Sequence, residues 1–206
     1  MLATEPVARS RGQRRSVLPM RKVAVFGNAG GGKSTLARRL AEITGLPLFV
    51  TDVIQFRDGR FRADAADGGR LSRDAYERLH DDILGRDAWI IDGFDDIALA
   101  WKRFEAADTL VHIDLPVALH YWGVTKRLAQ GLFRTPGGWP QDAPVWASSL
   151  SSYRVVWPCH RRLTPRYRRL VAAATSKRTY RLRSHSDIRC FLRSVETEQR
   201  ARREAA

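Results

Sequence analysis

A run of glycines ending in a lysine and two hydroxyls, "GNAGGGKST" at 27–35, is the segment best suited to chemistry. Its spacing of Gly27, four residues, Gly32, Lys33 and Ser34 fits the phosphate-binding pattern G-x-x-x-x-G-K-[ST]. Glycines let the backbone approach an anion closely, so that successive N–H groups point at phosphate oxygens. Lys33 would then reach the β and γ phosphates, and the Ser34 hydroxyl would bind Mg²⁺. The spacing therefore predicts a site for a nucleoside triphosphate.

The flanks of this loop are the elements that such a site needs. Residues 22–26 form a short apolar run typical of a buried strand. After the loop, apolar residues recur at helical spacing until Gly45 and Pro47 give a stop signal. A strand, a glycine turn and a helix in this order would point a helix N-terminus at phosphate. The alternative, a glycine-rich turn with an exposed lysine, is disfavoured by this context.

Length and composition indicate one domain. A chain of 206 residues accommodates a single α/β domain of about 180 residues. We find no apolar stretch approaching the roughly 20 residues of a membrane span and no apolar leader, so we expect a cytoplasmic protein without membrane contact. Cys159 and Cys190 lie far apart without metal-ligand spacing, which predicts two ordinary small apolar residues.

The net charge of +14 is concentrated at the two ends of the chain. Residues 1–22 carry +5, residues 23–149 carry −2, and residues 150–206 carry +11. The first 20 residues are polar and arginine-rich, so we expect a disordered basic tail at 1–20, a folded domain at 21–195 and a fraying tail at 196–206. Basic ends also allow weak, nonspecific contact with nucleic acid.

Strands and helices alternate along the domain, which predicts right-handed crossovers and a parallel sheet. The expected fold class is α/β, with a mostly parallel five-stranded sheet and helices on both faces. Prolines and glycines in the segment at about 128–145 predict a lid-like loop. Apolar runs predict later strands at 46–50, 88–93, 109–116 and 178–182. Helices are expected at 72–85, around 99–104, at 117–131, from 145 with a break at Pro158, at 165–174, and after a cap at Ser186.

Five motifs in order carry a resemblance to a known family: "GNAGGGKST", "DVIQF", "WIIDGF", "HIDLP" and "TKRLAQG". The chain resembles the adenylate-kinase-like P-loop kinases over about 21–195, most of all the subgroup known as DNA topology modulation proteins. The resemblance implies the three-layer P-loop NTPase fold, ATP and Mg²⁺ as cofactors, and phosphoryl transfer to a small acceptor.

Two carboxylates compete for the metal under this resemblance. Asp92 would hold Mg²⁺ through water or orient the acceptor, and Gly93 would leave room for the acceptor; the alternative is an ordinary Asp-Gly turn. Asp114 also follows an apolar strand, as in a Walker B motif, but the resemblance favours Asp92 because its strand adjoins that of the phosphate loop. Asp95 and Asp96 stand where adenylate kinases have a proline and an arginine, which weakens the case for a nucleoside monophosphate as acceptor.

The resemblance assigns further side chains to the acceptor and the lid. Asp52 and Arg57 would contact the acceptor, although each could equally be a solvated loop charge. Arg103 would also lie on the acceptor side. Arginines that close over the γ-phosphate stabilise the charge of the transition state, and Arg127 and Arg134 match the lid arginines in placement. The expected ATP site comprises Gly27, Asn28, Ala29, Gly30, Gly31, Gly32, Lys33, Ser34, Thr35, Arg127 and Arg134, with Trp139 as a candidate nucleobase contact.

The sequence thus favours an ATP-dependent kinase whose catalytic residues are Lys33, Asp92 and Arg127 and whose acceptor is a nucleotide or a hydroxylated metabolite. The alternative is a nucleic-acid-associated regulatory ATPase that uses the same ATP site, suggested by the basic ends. A GTPase is disfavoured because the chain lacks an Asn-Lys-x-Asp signature.

Overall fold

A five-stranded, wholly parallel sheet forms the centre of the protein. The computed structural model describes residues 20–62, 64–93, 96–131 and 145–205. The strands are β1 (Lys22–Gly27), β2 (Leu48–Val50), β3 (Trp89–Asp92), β4 (Thr109–Ile113) and β5 (Arg178–Leu182). Their order across the sheet is β2-β3-β1-β4-β5. The strand that precedes the glycine loop, β1, therefore lies in the middle, with β3 and β4 as its neighbours.

Eight α-helices in the described ranges surround this sheet. One short 3-10 helix, Arg57–Gly59, follows the second of them. The helices are α1 (Lys33–Thr44), α2 (Thr51–Ile54), α3 (Arg73–Gly85), α4 (Ile97–Ala106), α5 (Val117–Gly131), α6 (Val145–Arg162), α7 (Thr164–Ala173) and α8 (His185–Glu204). No helix of the described part of the chain is long and apolar enough to cross a membrane.

Two apolar clusters cover the two faces of the sheet. On one face, Leu40 of α1 and Phe191 of α8 pack against alternate residues of the strands. On the other, Ile83 of α3, Phe104 of α4 and Tyr167 of α7 do the same. Each strand alternates its side chains between the two layers, so both faces must be apolar. The predicted three-layer α/β fold is confirmed.

Several boundaries differ from those predicted. Pro158 lies inside α6, which continues to Arg162, so the predicted break at this proline is wrong. The neighbouring Val156 is fully buried and holds this part of the helix against the protein. The cap of α8 is Ser184, whose hydroxyl accepts from Asp187 N at 3.1 Å, so the prediction of Ser186 was wrong. Helix α8 extends to Glu204, through the residues expected to fray, and Met20 is buried in the core.

The ends of the predicted lid are helical. Helix α5 continues to Gly131 and α6 begins at Val145. Residues 132–144, which include Arg134 and Trp139, lie outside the described residues, as does the basic tail at 1–19.

Helix α5 packs directly on the glycine loop. A Cβ atom added to Gly123 would lie 1.9 Å from the Gly30 carbonyl oxygen, and one added to Gly30 would lie 2.1 Å from the His120 carbonyl oxygen. Neither distance is compatible with a side chain. The sequence therefore needs glycine on both surfaces where the helix and the loop meet.

We expect Gly123→Ala to displace the loop from α5, because overpacking a close contact costs about 1–3 kcal/mol. Both the melting temperature and the affinity for ATP should fall, as measured by a thermal melt and by calorimetry. Gly85→Ala is the matched control, since a Cβ there meets nothing within 4 Å. A Gly123→Ala protein that melts and binds ATP like the wild type would contradict the proposed contact.

Candidate active site

The glycine loop leaves the N-terminus of α1 open. Gly32 precedes the helix with φ 83°, in the left-handed region, and provides no capping side chain. The first N–H groups of α1 are thus available to an anion. Lys33 folds back across the loop, and its Nζ donates to the Asn28 carbonyl oxygen at 3.0 Å. Ser34 is half-buried beside it, while Thr35 is exposed.

Side chains outside the glycine run hold the loop in place. Asn28 is buried, and its Nδ2 donates to the Val156 carbonyl oxygen of α6 at 2.8 Å. Its Oδ1 accepts from Ala29 N at 2.8 Å. The Ala29 carbonyl oxygen in turn lies 3.0 Å from Nδ1 of His120 on α5. The loop is therefore fixed to both helices that flank the lid segment.

His120 is a residue that the sequence motifs did not reveal. Burial lowers its pKa to about 4, although the hydrogen bond with Ala29 opposes the shift. The ring is therefore neutral at neutral pH, and Nδ1 carries its proton because a carbonyl oxygen can only accept. No local pattern distinguishes this histidine, since its function follows from the packing of α5 on the loop.

Asp92 ends β3 beside the glycine loop. It pairs in register with Val25 of β1, and both of its carboxylate oxygens are buried without a hydrogen-bond partner among the described residues. Burial raises the pKa of this carboxyl, while the nearby charge of Lys33 and the hydroxyl of Ser34 oppose the shift. A buried carboxylate in this state needs a cation or a water ligand. The residues present thus fit Mg²⁺.

The described chain holds no group of three or more His, Cys, Asp or Glu side chains able to bind a metal by themselves. A site built from one carboxylate and one hydroxyl is adequate for Mg²⁺, which keeps several waters and takes further ligands from substrate phosphates.

Asp114 follows β4 and lies in a different environment. Its carboxylate accepts from Nε and Nη2 of Arg168, both at 2.9 Å, and from Nε of Arg181 at 2.6 Å. Burial raises its pKa, but the hydrogen bonds from Arg168 and Arg181 outweigh burial and hold the pKa below its usual value. Because both oxygens are already used in ion pairs, the geometry favours Asp92 over Asp114 as the carboxylate for the metal.

Asp52 lies at the start of α2, directly after β2, and lines a cavity of about 410 Å³. Arg57, predicted to accompany it, does not line this cavity; its guanidinium is exposed and lies 3.8 Å from the carboxylate of Asp67. The cavity is walled instead by residues of α2, α3 and α4, of which the sequence motifs indicated only Asp52.

Gly93 and Arg103 are in contact just after the carboxyl end of β3. Nη1 of Arg103 donates to the Gly93 carbonyl oxygen at 3.4 Å, and the Arg103 side chain is buried. Gly93 has φ 121°, and a Cβ there would lie 2.0 Å from Oγ1 of Thr51. Gly93 therefore allows the ends of β2 and β3 to meet, while Arg103 supports it from the core.

The side chain of Arg127 on α5 lies near Asp52. Its Nη2 donates to Oγ of Ser152 at 2.5 Å. Burial lowers its pKa, and the carboxylate of Asp52 opposes this shift. The structure thus brings Arg127 close to Asp52, although they are distant in sequence. Ser152 was not predicted, because a serine in a helix carries no distinctive pattern.

Comparisons with known proteins reveal similarity in fold. No protein-family model matches the chain, and no curated protein has a matching sequence. A shikimate kinase from Bacteroides thetaiotaomicron is 13% identical with a TM-score of 0.51, over 87% of this chain and 98% of that one. A shikimate kinase from Acinetobacter baumannii in complex with shikimate is 16% identical with a TM-score of 0.50, over 85% and 90%. A gluconokinase from Sinorhizobium meliloti 1021 is 14% identical with a TM-score of 0.45, over 90% and 94%. The chain therefore has the fold of P-loop kinases.

The two carboxylates should respond to neutralisation in opposite ways. Asp92→Asn removes a buried charge without a hydrogen-bond partner, so the melting temperature of the nucleotide-free protein should rise while Mg²⁺-dependent activity falls. Asp114→Asn breaks the ion pairs with Arg168 and Arg181 and should destabilise the protein by about 1–3 kcal/mol, a range reduced because both arginines are partly exposed.

Thermal melts and Mg²⁺ titrations of the rate for both variants decide between the two carboxylates. If Asp114→Asn shifts the Mg²⁺ requirement and Asp92→Asn does not, the metal assignment is reversed.

Proposed function

We propose that the protein is an ATP-dependent, Mg²⁺-dependent kinase that transfers the γ-phosphoryl group to a hydroxyl of a small acceptor. The observation that carries this proposal is the buried carboxylate of Asp92, which lacks a hydrogen-bond partner in the described chain and faces Lys33 of an open phosphate loop. The fold shared with two shikimate kinases supports it.

ATP would bind with its phosphates against the loop at 27–35. The backbone N–H groups and the N-terminus of α1 would face the phosphate oxygens, and Lys33 would exchange its contact with Asn28 for the β and γ phosphates. Ser34 and Asp92 would hold Mg²⁺, which neutralises charge on the transferred group. His120 and Asn28 keep the loop backbone in this arrangement.

The acceptor would occupy the cavity lined by Asp52. This carboxylate can accept a hydrogen bond from an acceptor hydroxyl and so orient the nucleophile. Arg127, whose Nη2 donates to Ser152, would contact the phosphates where negative charge is spread in the transition state. Arg134, outside the described residues, is proposed as a second lid arginine. Gly93 and Arg103 support the acceptor side, whereas Arg57 stays a proposal from sequence alone.

The proposal predicts that Lys33→Ala lowers turnover by about 10²–10³-fold, the usual effect of removing one donor that stabilises transition-state charge. The fold should persist, because Lys33 is half-buried in the loop and not part of the core. Turnover is measured as ADP release over nucleoside monophosphates, nucleosides and small polyols or acids, with a thermal melt in parallel. Lys102→Ala, which removes an exposed lysine paired with Asp81, is the control. Wild-type turnover in Lys33→Ala would refute the phosphate-loop assignment.

A second candidate function, a nucleic-acid-associated ATPase, is favoured by the surface of α6 and the elements after it. Residues 145–186 include ten Lys or Arg and no Asp or Glu. Arg154, Trp157 and Arg161 lie at helical spacing on α6, and all three are exposed, Trp157 by 50%. Arginines that flank an exposed aromatic ring suit phosphates and a stacked base.

This second candidate predicts that Arg154→Gln/Arg161→Gln weakens binding to single-stranded DNA. The slope of log affinity against log salt should fall by about 0.7 for each lost phosphate contact. Arg193→Gln/Arg203→Gln, which removes two exposed charges from α8, is the charge-matched control. ATP turnover with and without DNA is measured alongside. Turnover that requires DNA and is lost with the α6 pair would favour the regulatory ATPase; equal binding by both variants would argue against it.

A further inference from the structure

The cavity beside Asp52 contains more acidic than basic side chains. Among the described residues, its lining includes three carboxylates, Asp52, Glu77 and Asp96, and two cations, Arg70 and Arg73. It lies at the carboxyl end of the sheet, where α2 follows β2 and α4 follows β3. Tyr76 and Leu99 add an aromatic ring and an aliphatic side chain to the wall. The cavity thus combines carboxylates with a small apolar surface.

Both arginines of the cavity are already engaged. Nε of Arg73 donates to Oε1 of Glu77 at 2.8 Å, and its Nη2 lies 3.5 Å from Oδ2 of Asp96. The hydrogen bond with Glu77 raises the pKa of Arg73, and both ion pairs lie at the surface, where the Arg73 side chain is 72% exposed. Arg70 lies over the ring of Phe56, with its Cζ 5.1 Å from the ring centroid. An anionic acceptor would therefore have to compete with Glu77 and Asp96 for Arg73, while Arg70 is held against the ring of Phe56.

The carboxylate of Asp52 adds to this bias. Asp52 is close enough to Arg127 to oppose the effect of burial on the arginine, so it lies on the side of the cavity where phosphoryl transfer would occur. A carboxylate or phosphate on the acceptor at this end would meet like charge. A hydroxyl or an ammonium group would instead donate to Asp52.

On the basis of the kinase function proposed above, we propose that the acceptor is an uncharged polyhydroxylated compound or its aminated, cationic derivative, and that nucleoside monophosphates and carboxylic acids are disfavoured by the three carboxylates of the cavity and by the pairing of Arg73 with two of them. In the reaction, an acceptor hydroxyl oxygen forms a bond to the γ-phosphorus, and the bond from that phosphorus to the β–γ bridging oxygen breaks. ADP leaves, and the hydroxyl proton passes to Asp52 and then to solvent.

The first test uses compounds that differ only in charge. Glucose, glucosamine, gluconate and glucose 6-phosphate form one set, and adenosine and AMP form another. ADP release with MgATP is measured for each. We expect kcat/KM for a neutral or cationic member to exceed that of its anionic counterparts at least ten-fold, a factor that corresponds to about 1.4 kcal/mol. Preference for an anionic member, or no reaction of any neutral or cationic member, overturns the inference.

The second test releases Arg73 from its partners. Glu77→Gln/Asp96→Asn removes both charges, and Asn at 96 can still accept from Ala98 N, as Asp96 now does at 2.7 Å to cap α4. The preference should shift at least ten-fold toward the anionic members, and a further Arg73→Gln change should reverse the shift. Glu204→Gln, which breaks the similar pair with Arg200 on α8, is the control. An unchanged preference in the double variant overturns the proposed part of Arg73.

Binding of MgATP, measured by calorimetry in every variant, separates this inference from the function on which it rests. Absence of MgATP binding in the wild type would refute the kinase function itself. Intact MgATP binding with turnover of anionic acceptors alone would refute only the acceptor class.

Discussion

The phosphate loop cannot hold its own shape, and the rest of the site depends on how its neighbours hold it. Four glycines within 27–32 contribute no side chains, so the loop conformation must be fixed by contacts from outside. Asn28 binds the α6 backbone, His120 binds the loop from α5, and Gly123 allows that helix to approach. Because α5 ends at Gly131 and α6 begins at Val145, the same contacts also hold the two helices on either side of the segment predicted as a lid.

Asp92 and Asp114 lie at the same end of the sheet, and their neighbours determine what each carboxylate can do. Parallel strands bring Asp92 and Asp114 to the same edge, on either side of β1. Asp114 is satisfied by Arg168 and Arg181, whereas Asp92 is buried without a hydrogen-bond partner in the described chain. A buried charge in this state destabilises the folded protein, and such a cost persists where function requires it. Asp114 thus stabilises the fold, and Asp92 is available to a ligand.

The sequence predicted the order of strands and helices, because buried parallel strands are continuous apolar runs and the glycine loop has a distinctive spacing. The residue pattern alone did not distinguish Asp92 from Asp114, since both follow apolar strands, and only the family resemblance favoured Asp92. The arginines that distinguish the two carboxylates come from α7 and β5. The sequence also predicted Arg57 beside Asp52, whereas the cavity that Asp52 lines has Arg73, Glu77 and Asp96 in its wall and not Arg57. Contacts between distant segments leave no local pattern, and His120 and Ser152 were missed for the same reason.

Charge is distributed unevenly over the molecule. The chain as a whole has a net charge of +14, yet carboxylates outnumber arginines among the described residues that line the cavity beside Asp52. Arginines near the phosphate loop would meet the phosphates of ATP, so an acceptor that is also anionic would compete with ATP for the same cations. If the acceptor binds in this cavity as proposed, its carboxylates would prevent that competition. The protein can therefore distinguish ATP from the acceptor by placing cations near the phosphate loop and carboxylates in the neighbouring cavity. The net charge of the whole chain does not determine this selectivity.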